Sequence, residues 1–412
     1  MDATFEIDTI PTPAYVYDAE KVRRQVDGLR RALPDGARLY YSAKANSHPG
    51  ILAEVSRLGC SVEVCSSGEL GDAFVAGVPR DRIMYTGPVP EDAELESALQ
   101  AGVRRFAVES RASRDRLDAL CARLHLECTV LVRVNPATTA RGRINMAGSS
   151  QFGVDFEELL ADPSLLAEGR PTRVGGLQFY AFSNAESEDD LLTAFFGNID
   201  AARILRERHG TRLREIDLGG GFAAPFGTPG DSPDYRSIKE RLTTRIRRHL
   251  GTEVVVAFES GRHLVAGAGR FVTTVREIKR SRGVRYAICD AGVNHLGGVA
   301  TTRRLTPPRM VPTWDPLVER TDASVATPPP DPGSVTVVGP LCTPADRLCV
   351  VSDEAGTVRA GTRLIFDNVG AYGLTASPLA FLRRETPVEI LHGSGRVVDV
   401  SRLVVGREKV EL

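Results

Sequence analysis

Arg38-Leu39-Tyr40-Tyr41-Ser42, then Ala43-Lys44-Ala45-Asn46, then Pro49-Gly50-Ile51-Leu52-Ala53-Glu54-Val55-Ser56-Arg57-Leu58-Gly59, reads as a strand, a turn and a helix. The first stretch is rich enough in aromatic and apolar side chains for a buried strand. In the last, Pro49 suits a first helical turn, Ile51, Leu52, Val55 and Leu58 share a face, and Gly59 suits the stop. The unit then recurs. Further strand candidates are Ser61–Cys65, Arg82–Thr86, Arg105–Glu109, Cys128–Val134, Val174–Phe182, Arg214–Leu218 and Glu253–Glu259. Helical patterns at Glu91–Gln100, Arg114–Leu124, Leu191–Arg208 and Tyr235–Leu250 fall between them. Strand-then-helix units in such a series predict an α/β fold, a closed parallel (β/α)8 TIM barrel, over residues 24–272. An open doubly wound sheet is the alternative.

Beyond residue 272 the helical pattern fades. Phe271–Arg280, Val284–Cys289, Ser334–Val338, Arg347–Ser352, Thr362–Asp367 and Val388–Ile390 read as strands, separated by turn signals such as Asp353-Glu354-Ala355-Gly356 and His392-Gly393-Ser394-Gly395. A second, mostly-β domain (a β-barrel or sandwich) is expected from residues 1–23 and 273–412, with Pro13–Asp18 as a candidate strand. Thr321–Pro332 holds four prolines and reads as a loop.

The 412 residues carry a net charge of −1, which argues against nucleic acid or an anionic membrane as the main partner. There is no membrane-length apolar run. The first residues lack the basic and apolar regions of a signal peptide, so a cytoplasmic location is expected. Seven cysteines are scattered without C-x-x-C spacing, so neither a zinc site nor a disulfide framework is expected, and no metal is assigned.

In a barrel of this type, chemistry gathers at the C-terminal ends of the strands. The unusual residues fall there: Lys44 after the first strand, Ser66-Ser67-Gly68-Glu69 after the second, Arg133 on the fifth, and Tyr180 and Ser183 at the end of the sixth. Gly219-Gly220-Gly221 follows the seventh, and Glu259-Ser260-Gly261-Arg262 the eighth. A lysine at that rim either points to solvent or, turned inward, serves as a carbonyl-trapping amine. The triple glycine lets backbone N–H groups approach an anion, although Gly-Gly also makes plain turns. Glu259 ends a very apolar run, and is either paired with Arg262 for structural reasons or held for a cationic ligand.

Several motifs occur in order: Tyr41-Ser42-Ala43-Lys44-Ala45-Asn46, Ser67-Gly68-Glu69, Arg133-Val134-Asn135-Pro136, Gly219-Gly220-Gly221-Phe222, Glu259-Ser260-Gly261-Arg262, Asp290-Ala291-Gly292, Gly339-Pro340-Leu341-Cys342 and Gly370-Ala371-Tyr372-Gly373. In this the chain resembles the fold-type III decarboxylases dependent on pyridoxal 5'-phosphate (PLP), the group of diaminopimelate and ornithine/arginine decarboxylases. The resemblance runs from Pro11 nearly to the end. It implies that Lys44 carries PLP, that Glu259 pairs with the pyridine nitrogen, that Gly219, Gly220, Gly221, Ser183, Arg262 and Tyr372 hold the phosphate, and that Gly261 also lies at the cofactor. It implies a homodimer in which Cys342 of one subunit delivers a proton in the other subunit's site after CO2 leaves. Thr343, Arg303 and Tyr372 are the implied substrate contacts.

The departures from the family pattern narrow the substrate. The family's His-x-Gly-Ser is here Tyr180-Ala181-Phe182-Ser183, so Tyr180 would stack on the cofactor ring. The Pro of Glu-Pro-Gly-Arg is Ser260, and Ser-Lys-Phe-Gly is Ser150-Gln151-Phe152-Gly153. The Glu that follows the catalytic Cys in diaminopimelate decarboxylase is Thr343. Cys342-Thr343-Pro344 and Gly373–Leu379 look more like a subgroup from natural-product and polysaccharide gene clusters. One member of that subgroup decarboxylates a glutamyl group on an acyl carrier protein. The expected reaction is α-decarboxylation of a free or carrier-bound amino acid in a specialised pathway. The alternatives are diaminopimelate decarboxylation, racemisation or epimerisation on the same cofactor, and a non-catalytic homologue.

Overall fold

A computed structural model describes residues 6–136, 142–145 (backbone), 150–185, 187–297, 310–314 and 333–409. Arg303 and Thr321–Pro332 lie outside the described residues. The chain divides into two compact units: Val22–Ala223 with Pro233–Leu264, and Met1–Lys21 with Ala224–Ser232 and Val265–Leu412.

The strands, in chain order, are β1 Ala14–Asp18, β2 Arg38–Ser42, β3 Ser61–Val64, β4 Ile83–Tyr85, β5 Arg105–Val108, β6 Cys128–Asn135, β7 Gly142–Asn145, β8 Val154–Asp155, β9 Thr172–Phe179, β10 Phe182–Ala185, β11 Glu215–Asp217 and β12 Val255–Ser260. They continue with β13 Gly269–Ser281, β14 Val284–Cys289, β15 Gly333–Val338, β16 Arg347–Asp353, β17 Arg363–Phe366, β18 Val388–Gly393 and β19 Arg396–Ser401.

In the first unit the parallel order β5-β4-β3-β2-β12-β11-β9-β6 closes through pairing of β5 with β6, and β8 adds to β6. This is the expected (β/α)8 barrel rather than an open sheet. Helices Pro49–Arg57, Asp92–Gln100, Arg111–Leu124, Glu188–His209 and Ile238–His249 follow strands where the periodicity predicts them, and Ser67–Val75 is a further helix that the periodicity does not single out. Their starts have local causes. His48, Ser66, Ser110 and Ser187 each accept a backbone N–H of the first turn, satisfying donors that the helix itself cannot.

One strand differs. The expected run Val174–Phe182 ends at Phe179, and β10 is a separate strand paired antiparallel with β7. Tyr180 and Ala181 lie in neither strand, and Asn184 takes a left-handed φ of 60°. Ser183 therefore sits on that two-stranded ribbon, not at the end of a barrel strand.

The second unit is an eight-stranded sheet in the order β16-β15-β14-β13-β1-β18-β19, with β17 on β13. Pro13–Asp18 does join it, as β1 between β13 and β18. β19 is not among the strands expected from the sequence, although it is rich in Val; Ser394 and Gly395, at φ 51° and 75°, fold it back onto β18.

Candidate functional site

The barrel interior carries polar groups at two levels. Near the N-terminal ends of the strands, Glu215 on β11 accepts from Arg105 Nη1 at 2.6 Å, from the Tyr40 hydroxyl at 2.9 Å, and from Arg38. Tyr40 itself packs with Met84, Leu131 and Ala257 in one interior cluster. The Glu215 charge is well paired, as a structural one must be.

The C-terminal level is different. Glu63 on β3, Asp217 on β11 and Glu259 on β12 are all buried, and Glu69 on the helix after β3 is close enough to feel Glu63. Glu63 Oε2 accepts from Ser42 Oγ at 2.7 Å, while its Oε1 is 3.6 Å from Lys44 Nζ. Glu259 Oε1 accepts from Gln178 Nε2 at 2.6 Å, so this carboxylate is met by Gln178 from β9. Gln178 Oε1, Asp217 Oδ2 and Ser260 Oγ are buried with no hydrogen-bond partner among the described residues. Unmet polar atoms of this kind are uncommon in a finished core. Others occur elsewhere in the chain, but these three stand beside Glu259, where a bound group could meet them.

Burial raises the Glu259 carboxyl to about 7, with Glu63 adding to the rise and Lys44 and Arg133 opposing it. Asp217 is raised well above the usual range, again by burial first and Glu259 second. Burial also lifts Glu69 and the Cys65 thiol. The site is short of positive charge.

The cations present are arranged around one ring. Lys44 Nζ lies 5.5 Å from the Tyr180 ring centroid and the Arg133 guanidinium 5.9 Å from it, within reach of the ring's negative face. Arg133 is also 4.9 Å from the Phe152 ring and donates to Glu109 at 2.7 Å. Lys44 sits in a single turn, Ala43–Ala45, and is about two-fifths exposed, with its neighbours Ala43 and Ala45 buried.

The glycine turn after β11 packs against the same ring. Gly219 has φ +79°, and a Cβ there would collide with the Phe179 carbonyl oxygen. A Cβ on Gly220 would come within 2.7 Å of the Glu259 carbonyl oxygen and 3.3 Å of Tyr180 Cε2. Asp217 Oδ1 takes the Gly219 N–H at 2.9 Å. Gly261 packs onto Ala45 and Ser42, so the end of β12 and the Lys44 turn touch directly.

Between residues 19 and 266 the sequence matches the model of the pyridoxal-dependent decarboxylase, pyridoxal binding domain. The chain belongs to the pyridoxal-dependent decarboxylases. It is 30% identical, over 93% of its length and 89% of the relative's, to the L-glutamyl-[BtrI acyl-carrier protein] decarboxylase of Niallia circulans. It is 28% identical to 2-[(L-alanin-3-ylcarbamoyl)methyl]-2-hydroxybutanedioate decarboxylase of Staphylococcus aureus, over 92% of this chain and 93% of that one. Its fold matches diaminopimelate decarboxylase of Helicobacter pylori, solved with L-lysine, at a TM-score of 0.79 and 22% identity, covering 95% and 94% of the two chains.

As a pyridoxal-dependent decarboxylase, the chain uses PLP, and the barrel residues suit it. A lysine, a carboxylate raised by burial and by Glu63, and a turn with no space for side chains lie on one rim. A pyridinium N–H would supply the missing positive charge.

The structure thus brings together Lys44, Tyr180, Gly219, Gly220, Glu259 and Gly261, with Arg262 opening the turn Arg262–Val265. Cys342, Thr343 and Tyr372 belong to the β-rich unit; Cys342 is exposed, and Tyr372 has a positive φ of 60°. Motif reasoning does not select Glu63, Gln178 or Asp217. A signal exists for Glu63 and Gln178, each a polar side chain flanked by apolar residues in its strand (Val62 and Val64; Leu177 and Phe179); Asp217, in Glu215-Ile216-Asp217, has none of that kind.

Proposed function

We propose that this decarboxylase acts at the α-carbon of an amino acid or an amino-acyl group, and that the substrate is carrier-bound or an unusual free amino acid of a specialised pathway. The observation that carries the site assignment is the rim where Lys44 and the under-neutralised Glu259 flank the occluded glycine turn. Lys44 Nζ would hold PLP, and Glu259 would face its pyridine nitrogen. Gly219, Gly220 and Gly221, with Ser183, Arg262 and Tyr372, would hold the phosphate, with Gly261 also at the cofactor, and Tyr180 would lie against the ring. The cofactor held there would supply an electron sink for the pair released when the Cα–carboxylate bond breaks. Cys342 of the partner subunit would then deliver a proton to Cα, while Thr343, Arg303 and Tyr372 orient the substrate. Residues 24–272 would form the cofactor-binding domain, and residues 1–23 with 273–412 the β domain, of a homodimer with shared sites.

Two features support the substrate class. Thr343 replaces an acidic reader of a distal ammonium group, and the Niallia relative decarboxylates a glutamyl group on a carrier protein. All seven cysteines are free thiols, including Cys121 and Cys128 with Sγ atoms 3.6 Å apart. A cytoplasmic location is proposed on the sequence reading alone. Among the described residues no helix is long and apolar enough to cross a membrane.

Incubating the PLP-loaded enzyme with a panel of free and carrier-bound amino acids, and reading products by mass spectrometry, tests the reaction. Loss of the mass of one CO2 from one panel member is expected. Exchange or inversion at Cα without loss of CO2 would replace decarboxylation by racemisation.

A further inference from the structure

The β-rich unit contains a buried carboxylate that none of the roles above uses. Asp346 is 3% exposed and lies in the turn Cys342-Thr343-Pro344-Ala345-Asp346. Its Oδ2 accepts the backbone N–H of Leu341, the residue before Cys342, at 2.7 Å. Its Oδ1 accepts the N–H of Val293 at 2.8 Å. One side chain thus ties the Cys342 turn to the turn after Asp290-Ala291-Gly292.

The surroundings are shaped to that carboxylate. A Cβ on Gly292 would collide with Asp346 Oδ1, and one on Gly339 with Oδ2 and with Gly292 itself. The backbone closes the loop around it: Gly339 N–H donates to the Asp346 carbonyl at 3.1 Å, and Asp346 N–H to the Thr343 carbonyl at 3.1 Å. Thr343 N–H donates to the Leu341 carbonyl at 2.8 Å, and Arg384 Nη2 to the Pro340 carbonyl at 3.0 Å. Two of the motifs in the sequence, Asp290-Ala291-Gly292 and Gly339-Pro340-Leu341-Cys342, are therefore two walls of one pocket for Asp346. Cys342 itself is exposed at the top of this tightly held turn, while Leu341 beside it is buried. The burial of this carboxylate is offset by the two N–H groups it accepts, and those bonds fix the backbone on either side of the exposed thiol.

We infer that Asp346 is a positioning residue for Cys342, acting through the Leu341 and Val293 backbone N–H groups. The inference rests on the proposed role of Cys342 as proton donor. Asp346→Asn is nearly isosteric but sets an NH2 against one of the two N–H groups.

The test uses the PLP-loaded enzyme and four proteins: wild type, Asp346→Asn, Cys342→Ala and the double variant. Two quantities are read: turnover of the amino acid that the panel identifies, and the rate at which iodoacetamide alkylates Cys342, followed by peptide mass spectrometry with added glutathione as reference thiol. Asp346→Asn should lower kcat about tenfold to a hundredfold with KM and the thermal midpoint nearly unchanged. It should shift Cys342 alkylation at least threefold relative to glutathione. The double variant should be no slower than Cys342→Ala alone. If Cys342→Ala is impaired but Asp346→Asn behaves as wild type in both readouts, the positioning role is overturned and the donor role stands. The positioning role is equally overturned if the two losses multiply. If Cys342→Ala retains full activity, the donor role fails and the inference with it. Should Asp346→Asn not fold, Asp346→Ser, which keeps a smaller acceptor and adds no bulk, must reproduce the alkylation shift or the inference is lost.

Discussion

Replacing Glu259 by Gln should stabilise the cofactor-free protein and cripple the loaded one, and the pH dependence gives the size of the first effect. Burial and Glu63 raise the Glu259 carboxyl from 4.5 to about 7. The folded protein therefore binds this proton more tightly than the unfolded chain does. Stability is greatest below the unfolded value, falls as pH rises from 4.5 through 7, and is level above that. A pKa raised by one is about 1.4 kcal/mol, so the charge destabilises the empty fold by about 3 kcal/mol at about pH 8. The glutamine of Glu259→Gln keeps the shape and can still accept from Gln178, without the charge. The assay is equilibrium urea unfolding of cofactor-stripped wild type and Glu259→Gln at about pH 5 and about pH 8. Asp217 is raised by the same causes and titrates in both proteins, so the quantity to read is the difference between them. That difference should change by about 2–3 kcal/mol between the two pH values, the variant being the more stable in the alkaline buffer. In the PLP-loaded enzyme the order reverses in function. Losing a charge-assisted hydrogen bond of about 1.5–3 kcal/mol should slow decarboxylation about tenfold to a hundredfold. If the stability difference is the same at both pH values, Glu259 is not short of a cation, and the reasoning that makes it the cofactor's counter-charge is wrong.

The other expectations rest on the same geometry. Borohydride reduction of the loaded enzyme should leave the pyridoxyl mass on the peptide containing Lys44, and its appearance on another lysine would displace Lys44 from its role. Gly219→Ala must move the Phe179 carbonyl or abandon φ +79°, so PLP affinity should fall at least tenfold by spectroscopic titration; unchanged affinity would remove the glycine turn from the phosphate site. Diaminopimelate should be a poor substrate because Thr343 lacks the charge of an acidic reader, and finding it the best of the panel would overturn the substrate class. Mixing Lys44→Ala with Cys342→Ala subunits under exchange should restore up to about a quarter of wild-type activity if sites are shared across a two-fold interface. No recovery despite proven exchange would refute sharing.

Much of the fold is legible in the linear order of residues. Strand-helix alternation is local, because each amphipathic helix and each apolar strand is written in a few consecutive side chains. That suffices for the closed barrel and for β1 joining the β-rich sheet. The motifs around Lys44, Gly219–Gly221 and Glu259 are readable for the same reason: backbone turns need particular residues at particular places. The end of β9 is not legible, since Tyr180-Ala181-Phe182 is as strand-like as what precedes it. Only pairing of β10 with β7 withdraws it from the barrel. β19 is legible, though it is not among the expected strands: Val397, Val398 and Val400 after the turn His392-Gly393-Ser394-Gly395 signal a hairpin partner for β18.

Residue order alone dictates that a lysine, a glycine turn and a carboxylate stand at the C-terminal ends of barrel strands. What surrounds them is settled by folding. Ser42 and Glu63 lie on adjacent strands, Gln178 meets Glu259 from far along the chain, and Arg133 reaches the ring of Tyr180 from another strand. The physical reason is that a charge's environment depends on distance in space and on the water excluded around it. Closure of the barrel sets both, and no window of sequence contains them.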